Sequence, residues 1–192
     1  MIRGQVSLAS RRAGCNDPAV ARVDPLRHLV DAAREGDDVA VAQLVQRTQP
    51  AVWRLCRLLG SVDEVEDLVQ QTYLRALRSL PTFRGEAPIE SWLLSIARHV
   101  CADDVRARQR RRRLVDRLAS GRERIVEPSS GVDDMVQRLP ETQREAFVLT
   151  QLLGLSYEEA ALVAECPIGT IRSRVARARA ELMEQMRQAE AL

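Results

Sequence analysis

From Pro25 onward apolar residues recur three and four apart, and no stretch alternates with period two. That pattern predicts helices and no strands. Leu26, Leu29, Val30 and Ala33 form the first stripe, and Glu35-Gly36-Asp37 punctuates it. Val41, Leu44, Val45, Val52, Leu55, Leu58 and Leu59 line a second helix ending at Gly60, with Pro50 marking a break or bend inside it. A third begins at Ser61, whose spacing to Glu64 predicts a capping box. It runs through Val65, Leu68, Val69, Thr72, Tyr73, Ala76 and Leu77 and stops at Pro81. After a loop over residues 82–88, a fourth helix from about Glu90 to Arg110 places Trp92, Leu93, Ile96, Val100 and Val105 in a core.

Periodicity then lapses. Residues 111–132 gather Gly121, Pro128, Ser129, Ser130 and Gly131 and read as a linker. Such a tether reaches ~80 Å fully extended and averages ~25–30 Å as a coil, so it joins two domains without setting their separation. Beyond it, residues 133–138 form a helix, and Pro140 opens another through Ala146, Val148, Leu149 and Leu152 to Gly154. Ser156 and Glu159 have capping-box spacing for a short helix that stops at Glu165-Cys166, and Pro167 occupies the first position of the last one. Two short helices joined by a tight turn make a helix-turn-helix. The expected architecture is all-α: a loose arm over 1–24, a helical bundle over 25–110, the linker over 111–132 and a helix-turn-helix domain over 133–192.

Charge sharpens this picture. All 29 basic residues are arginine, which removes Schiff-base and phosphate-loop lysine chemistry. The net charge of +2 hides segregation: residues 104–124 hold nine arginines against three acids, and residues 133–166 hold seven acids against two arginines. Residues 167–180 carry four arginines and no acid. Such blocks suit a protein that meets both a polyanion and a second, non-nucleic partner. Cys15, Cys56, Cys101 and Cys166 are dispersed, and with only His28 and His99 available a zinc site is not expected; no cofactor is. The longest uncharged stretch, residues 146–157, has 12 residues, too short for a bilayer, and residues 4–10 make no secretory core. A cytoplasmic protein without membrane insertion is the expectation.

The last helix divides by face. Ile171, Val175, Ala178 and Leu182 must face a core, while Arg172, Ser173, Ala176 and Arg177 lie opposite, flanked by Thr170 and Arg174 on one side and Arg179 on the other. Guanidinium forks take guanine O6 and N7 in a major groove, and small neighbours permit close approach, so this face predicts DNA binding. On the third helix, Asp63, Glu64, Glu66 and Asp67 suit the helix dipole and an electropositive partner.

The run from Asp67 to Ala76, DLVQQTYLRA, resembles the polymerase-binding helix of bacterial RNA polymerase sigma factors. Phe83-Arg84-Gly85-Glu86 and the helix from Ser91 to Arg98 resemble the loop and helix that read the minus-ten element. Residues 139–146 and 169–174 resemble the minus-thirty-five reader. With the motifs in the family's order and only the two outer domains present, the chain is similar to the extracytoplasmic-function group. The resemblance implies a non-enzymatic subunit that lends promoter specificity to core RNA polymerase through its β′ clamp and β subunits, with promoter DNA and an anti-sigma factor as further partners. It assigns polymerase contact to Asp67, Leu68 and Gln70 and the minus-ten element to Phe83, Arg84, Gly85, Trp92, Arg98, His99 and Arg106. The minus-thirty-five element falls to Thr170, Arg172, Ser173, Arg174, Ala176, Arg177 and Arg179. Gln71 stands where a typical member has Glu, and His99 where many have Asn. The alternative is a self-sufficient helix-turn-helix regulator; a nucleic-acid enzyme lacks clustered carboxylates, metal ligands or a nucleophile–base pair.

Overall fold

The computed structural model describes residues 24–118 and 131–190, and within them every regular element is helical. Helix α1 (Arg27–Arg34) leads to α2 (Asp38–Leu59), whose N-cap Asp37 accepts from the Val39 and Ala40 amides at 2.8 and 3.2 Å. Of the break or bend expected at Pro50, the break does not occur: α2 runs on through it. Burial on both sides of the proline, by Leu44 and Thr48 before it and Val52, Leu55 and Cys56 after it, offsets the missing hydrogen bond.

The capping box expected at Ser61 does not form. Val62–Glu64 make a single 3-10 turn, and Glu64 instead reaches Arg108 at 2.8 Å. The guanidinium of Arg108 holds the Glu64 carboxyl below its ordinary range, an ionic partner outcompeting a backbone amide. Helix α3 (Val65–Ser79) follows, and Pro81 sits in a further 3-10 turn, Leu80–Thr82. Helix α4 (Ile89–Leu118) extends past Arg110 into the segment read as linker, and Val105 is only half-buried on it. Asp24 ties the beginning together: its two carboxylate oxygens accept from the Leu26 and Ile89 amides at 2.9 and 2.7 Å, joining the starts of α1 and α4.

The core of this bundle contains Val30, Leu44, Val52, Leu55, Leu68, Leu93, Leu94 and Val100, with Cys56 and Cys101 buried beside one another. The hydrogen bond that Cys101 donates to Cys56, then burial, push the Cys101 thiol well up, so it stays protonated. Leu77, expected inside, is exposed.

The second domain comprises α5 (Val132–Gln137), α6 (Glu141–Phe147), α7 (Tyr157–Val163) and α8 (Ile168–Glu190). After α6 the backbone widens into one π-helical segment, Val148–Leu152, closed by the Leu153 amide donating to the Val148 carbonyl at 2.9 Å. Both bonds of the predicted capping box at Ser156 and Glu159 are present, at 3.1 and 2.8 Å. Pro167 stands just before α8, its carbonyl accepting from the Thr170 amide at 2.8 Å. Ile171, Val175 and Ala178 are buried as expected; Leu182, a turn further on, is half-buried.

The two domains pack against each other. Leu58 of α2 meets Val136 and Val148, and α7 lies on α4. The separation left open by the linker reading is closed in this structure. Residues 1–23, including Cys15, and 119–130 lie outside the described residues.

Candidate nucleic-acid and polymerase interfaces

The capped α7 and the turn through Pro167 hold α8 with its buried edge inward, which presents the opposite edge to solvent. Arg172, Ala176, Arg177 and Arg179 are exposed there, and Thr170 and Ser173 are half-buried. The Ser173 hydroxyl donates to the Thr170 carbonyl at 2.9 Å, and Arg179 donates to Gln151 at 2.6 Å. Arg174 differs. It turns inward, 3.9 Å from a Glu145 carboxylate oxygen and 3.7 Å from the Cys166 sulfur. A flank position assigned to the minus-thirty-five element is thus engaged with an acid of its own domain.

At the loop before α4, the structure corrects one assignment. Phe83 is buried at 7% exposure and packs on Trp92 with ring centroids 4.9 Å apart. The turn at Pro81 folds the chain back, the Phe83 amide donating to the Leu80 carbonyl at 3.1 Å, so the ring closes the core and does not face outward. Gly85 has φ +72°, and a Cβ there would run into the Arg27 guanidinium; glycine suits both conditions. Arg84 is exposed, 3.9 Å from Glu86. Trp92 is half-buried. Arg106 is exposed and pairs with Asp103 at 2.8 Å. Arg98 and His99 both meet acids of the second domain: Arg98 bonds Glu145, and His99 lies 2.9 Å from Glu165.

On α3, Asp67 and Gln70 are exposed, but Leu68 is buried at 2% and has no surface for a partner. Leu68 belongs to the inward stripe that the same periodicity marks, so its assignment to polymerase contact is corrected. The outward stripe holds residues the motif reading missed. Leu74 and Leu77, 50% and 39% exposed, continue the line of Asp67 and Gln70 at helical spacing. The signal was available: leucines about two and three turns beyond an acidic helix start, in line with Asp67 and Gln70. Among the described residues no cluster of His, Cys, Asp or Glu could hold a metal ion, and no helix is long and apolar enough to cross a membrane.

Two elements with separate exposed faces, one acidic-apolar and one basic, match known proteins in the same order. Residues 44–111 match Sigma-70 region 2, and residues 130–182 match Sigma-70 region 4. The chain is 44% identical over 166 residues to the ECF RNA polymerase sigma factor SigC of Mycobacterium tuberculosis, covering 81% of this chain and 88% of that protein. This chain belongs to the extracytoplasmic-function group of the sigma-70 family. It is an alternative sigma factor that directs promoter-specific transcription, and its family is one of non-catalytic initiation factors. The ECF RNA polymerase sigma-E factor of Haemophilus influenzae is 35% identical, covering 81% of this chain and 92% of its own length. Two solved structures share the fold, each with a TM-score of 0.66. They are CnrH in complex with the cytosolic domain of CnrY, at 30% identity over 84% of this chain and 97% of that one. The other is RpoE of Bartonella quintana with the anti-sigma factor NepR, at 32% identity over 77% and 96%.

Proposed function

We propose that this sigma factor reads the minus-thirty-five element with the outer edge of α8 and docks on core polymerase with the outer stripe of α3. The observation that carries the reading is the acid-free guanidinium edge formed by Arg172, Arg177 and Arg179. Its forks can reach base edges in a major groove, and Ala176 leaves room for close approach. Thr170 and Ser173 lie at the start of the same edge and serve as short-range hydrogen-bonding contacts. On α3, Asp67 and Gln70 supply polar contacts, and Leu74 and Leu77 supply the apolar area that anchors an interface.

Minus-ten recognition falls to the loop from Arg84 to Gly85 and to the α4 residues Trp92, Arg98, His99 and Arg106. A flipped base costs a few kcal/mol to unstack, which a shaped loop beside arginines offsets. These contacts work in the cytoplasm, where core polymerase meets the chromosome. Since the Bartonella RpoE was solved with the anti-sigma factor NepR, and CnrH with the cytosolic domain of CnrY, an anti-sigma protein is a fitting partner here as well. The self-sufficient regulator is not favoured, because residues 44–111 match the sigma-specific N-terminal domain.

Run-off transcription with purified core polymerase and a panel of promoter fragments tests the assignment. Transcripts should start only when the factor is added, and Asp67→Arg should abolish them while α8 still binds DNA. Undiminished retention of that variant on core enzyme would exclude α3 as the docking face.

A further inference from the structure

Arg179 leaves α8 on the flank that meets the π-helical segment Val148–Leu152, and that segment takes hold of it. The Thr150 hydroxyl donates its one proton to the carbonyl of buried Ala146 at 2.7 Å. Towards its neighbour it can then only accept. It accepts from Gln151 Nε2 at 3.0 Å, which leaves the amide oxygen of Gln151 for another donor. That oxygen accepts from Arg179 Nη2 at 2.6 Å. Three hydrogen bonds in series tie an exposed guanidinium to the core of its own domain, and the direction of each follows from the one before.

We propose that Gln151 is a positioning residue: it aims Arg179 at the DNA backbone beside the minus-thirty-five element and leaves the arginine's charge intact. The inference rests on the reading that α8 enters the major groove there. A helix with its side chains is about 10–12 Å across and fills a groove about 12 Å wide. Its outermost residues then face base edges, and its flanks face the two phosphate walls. Arg172 and Arg177 lie on the outer side, Arg174 and Arg179 on opposite flanks. The two flanks are held differently. Arg174 stands 3.9 Å from a Glu145 carboxylate oxygen, so an acid offsets its charge. Arg179 is held by a neutral amide, which supplies an orienting hydrogen bond without an opposing charge. The bond occupies Nη2, and the other donors of the fork are left to grip a phosphate. A long side chain that is already ordered loses less rotamer freedom on binding than one that is not.

The test uses holoenzyme and a labelled duplex, taken from a fragment of the run-off panel that gives a factor-dependent transcript. Its minus-thirty-five segment is either intact or scrambled, and anisotropy follows binding across a salt series. Gln151 is exposed, so Gln151→Met keeps the fold and the side-chain length while removing both hydrogen bonds. It should weaken binding to both duplexes about two- to tenfold, the effect of leaving one long side chain unordered, with the salt slope unchanged. Gln151→Glu still holds the fork but offsets its charge. Its slope should be shallower by about one unit, like that of Arg179→Ala. In the Arg179→Ala background, Gln151→Met should cost nothing further. A further loss there would mean that Gln151 touches DNA itself or merely supports its segment, and would overturn the positioning role. Wild-type affinity of Gln151→Met overturns it too, and a wild-type slope for Gln151→Glu overturns the preserved charge. The reading beneath fails separately. If no fragment gives a factor-dependent transcript, or Arg177→Ala separates intact from scrambled duplex as well as wild type does, α8 is not the reader. If Arg177→Ala loses that selectivity while Arg179→Ala binds as wild type, α8 stays in the groove and only the role of Gln151 and Arg179 falls.

Discussion

The two DNA-facing helices, α8 and α4, carry similar chemistry and stand in opposite states. On α8 three arginines project to solvent from residues 172–179, a segment without an acid; on α4 Arg98 and His99 are engaged by Glu145 and Glu165 across the domain seam. A basic residue at the right spacing is therefore not yet an available one. Helical periodicity says which way a side chain leaves its own helix. What it then meets depends on a surface contributed by residues about 50 to 70 positions away. Arg174 makes the same point inside one domain, since it shares α8 with free arginines yet turns to Glu145.

The strongest way to break the comparison is at the loop before α4. Phe83→Ala should destabilise the protein by about 3–5 kcal/mol, because it removes a buried ring from the core. Thermal unfolding measures it; a wild-type melting temperature combined with lost promoter opening would return Phe83 to the DNA-reading set. On α8, Arg177→Ala should cost about 1–3 kcal/mol of minus-thirty-five discrimination, the value of one bidentate base contact. Competition between cognate and mutated elements with holoenzyme gives the figure, and unaltered selectivity would mean that the free edge is not the reader.

Arg174→Ala sharpens the contrast between neighbours. A phosphate contact would reduce the salt dependence of DNA binding by about one unit of slope. An arginine committed to Glu145 leaves the slope as it was and lowers the melting temperature instead, by about 1 kcal/mol of stability. Parallel salt titrations of Arg174→Ala and Arg177→Ala separate the two roles.

The smallest effect concerns the outer side of α4. Arg106 and then Arg75 hold the Asp103 carboxyl below its ordinary range, and the 2.9 Å pair with Arg75 ties α3 to α4. A depressed carboxylate stabilises the fold above its unfolded pKa, and that contribution disappears as pH falls through the lower folded value. Both partners are about half-exposed, so Asp103→Asn should cost only about 0.2–1 kcal/mol at neutral pH. The difference from wild type should vanish below the usual aspartate range. A cost that persists in acid would show that shape, not charge, matters at this position.

Much of the architecture was legible in the chain itself. The stripes of α1 to α4, the Ser156–Glu159 capping box and the inward line Ile171, Val175 and Ala178 follow from spacing, because each is decided within one or two helical turns. The ordered motifs likewise assigned both domains. Local rules failed where a distant group competed. Glu64 has capping-box spacing to Ser61 but faces Arg108, 44 positions on, and a guanidinium binds a carboxylate more strongly than a backbone amide does. Pro50 was expected to mark a break or bend, and α2 is not broken there, because core burial on both sides carries the helix through. Leu68 and Phe83 sit within motifs that resemble contact surfaces, and packing took them inside.

The sequence by itself determined the helices, their apolar faces and the partition of arginine to one domain edge and acid to its neighbours, since these are set by the order of residues along the chain. Only the tertiary structure decided which charges remain free. Electrostatic pairing acts through space and takes the nearest desolvated partner; with no strand ladder or short loop to register the two domains, nothing along the chain announces that Glu145 will stand between Arg98 and Arg174.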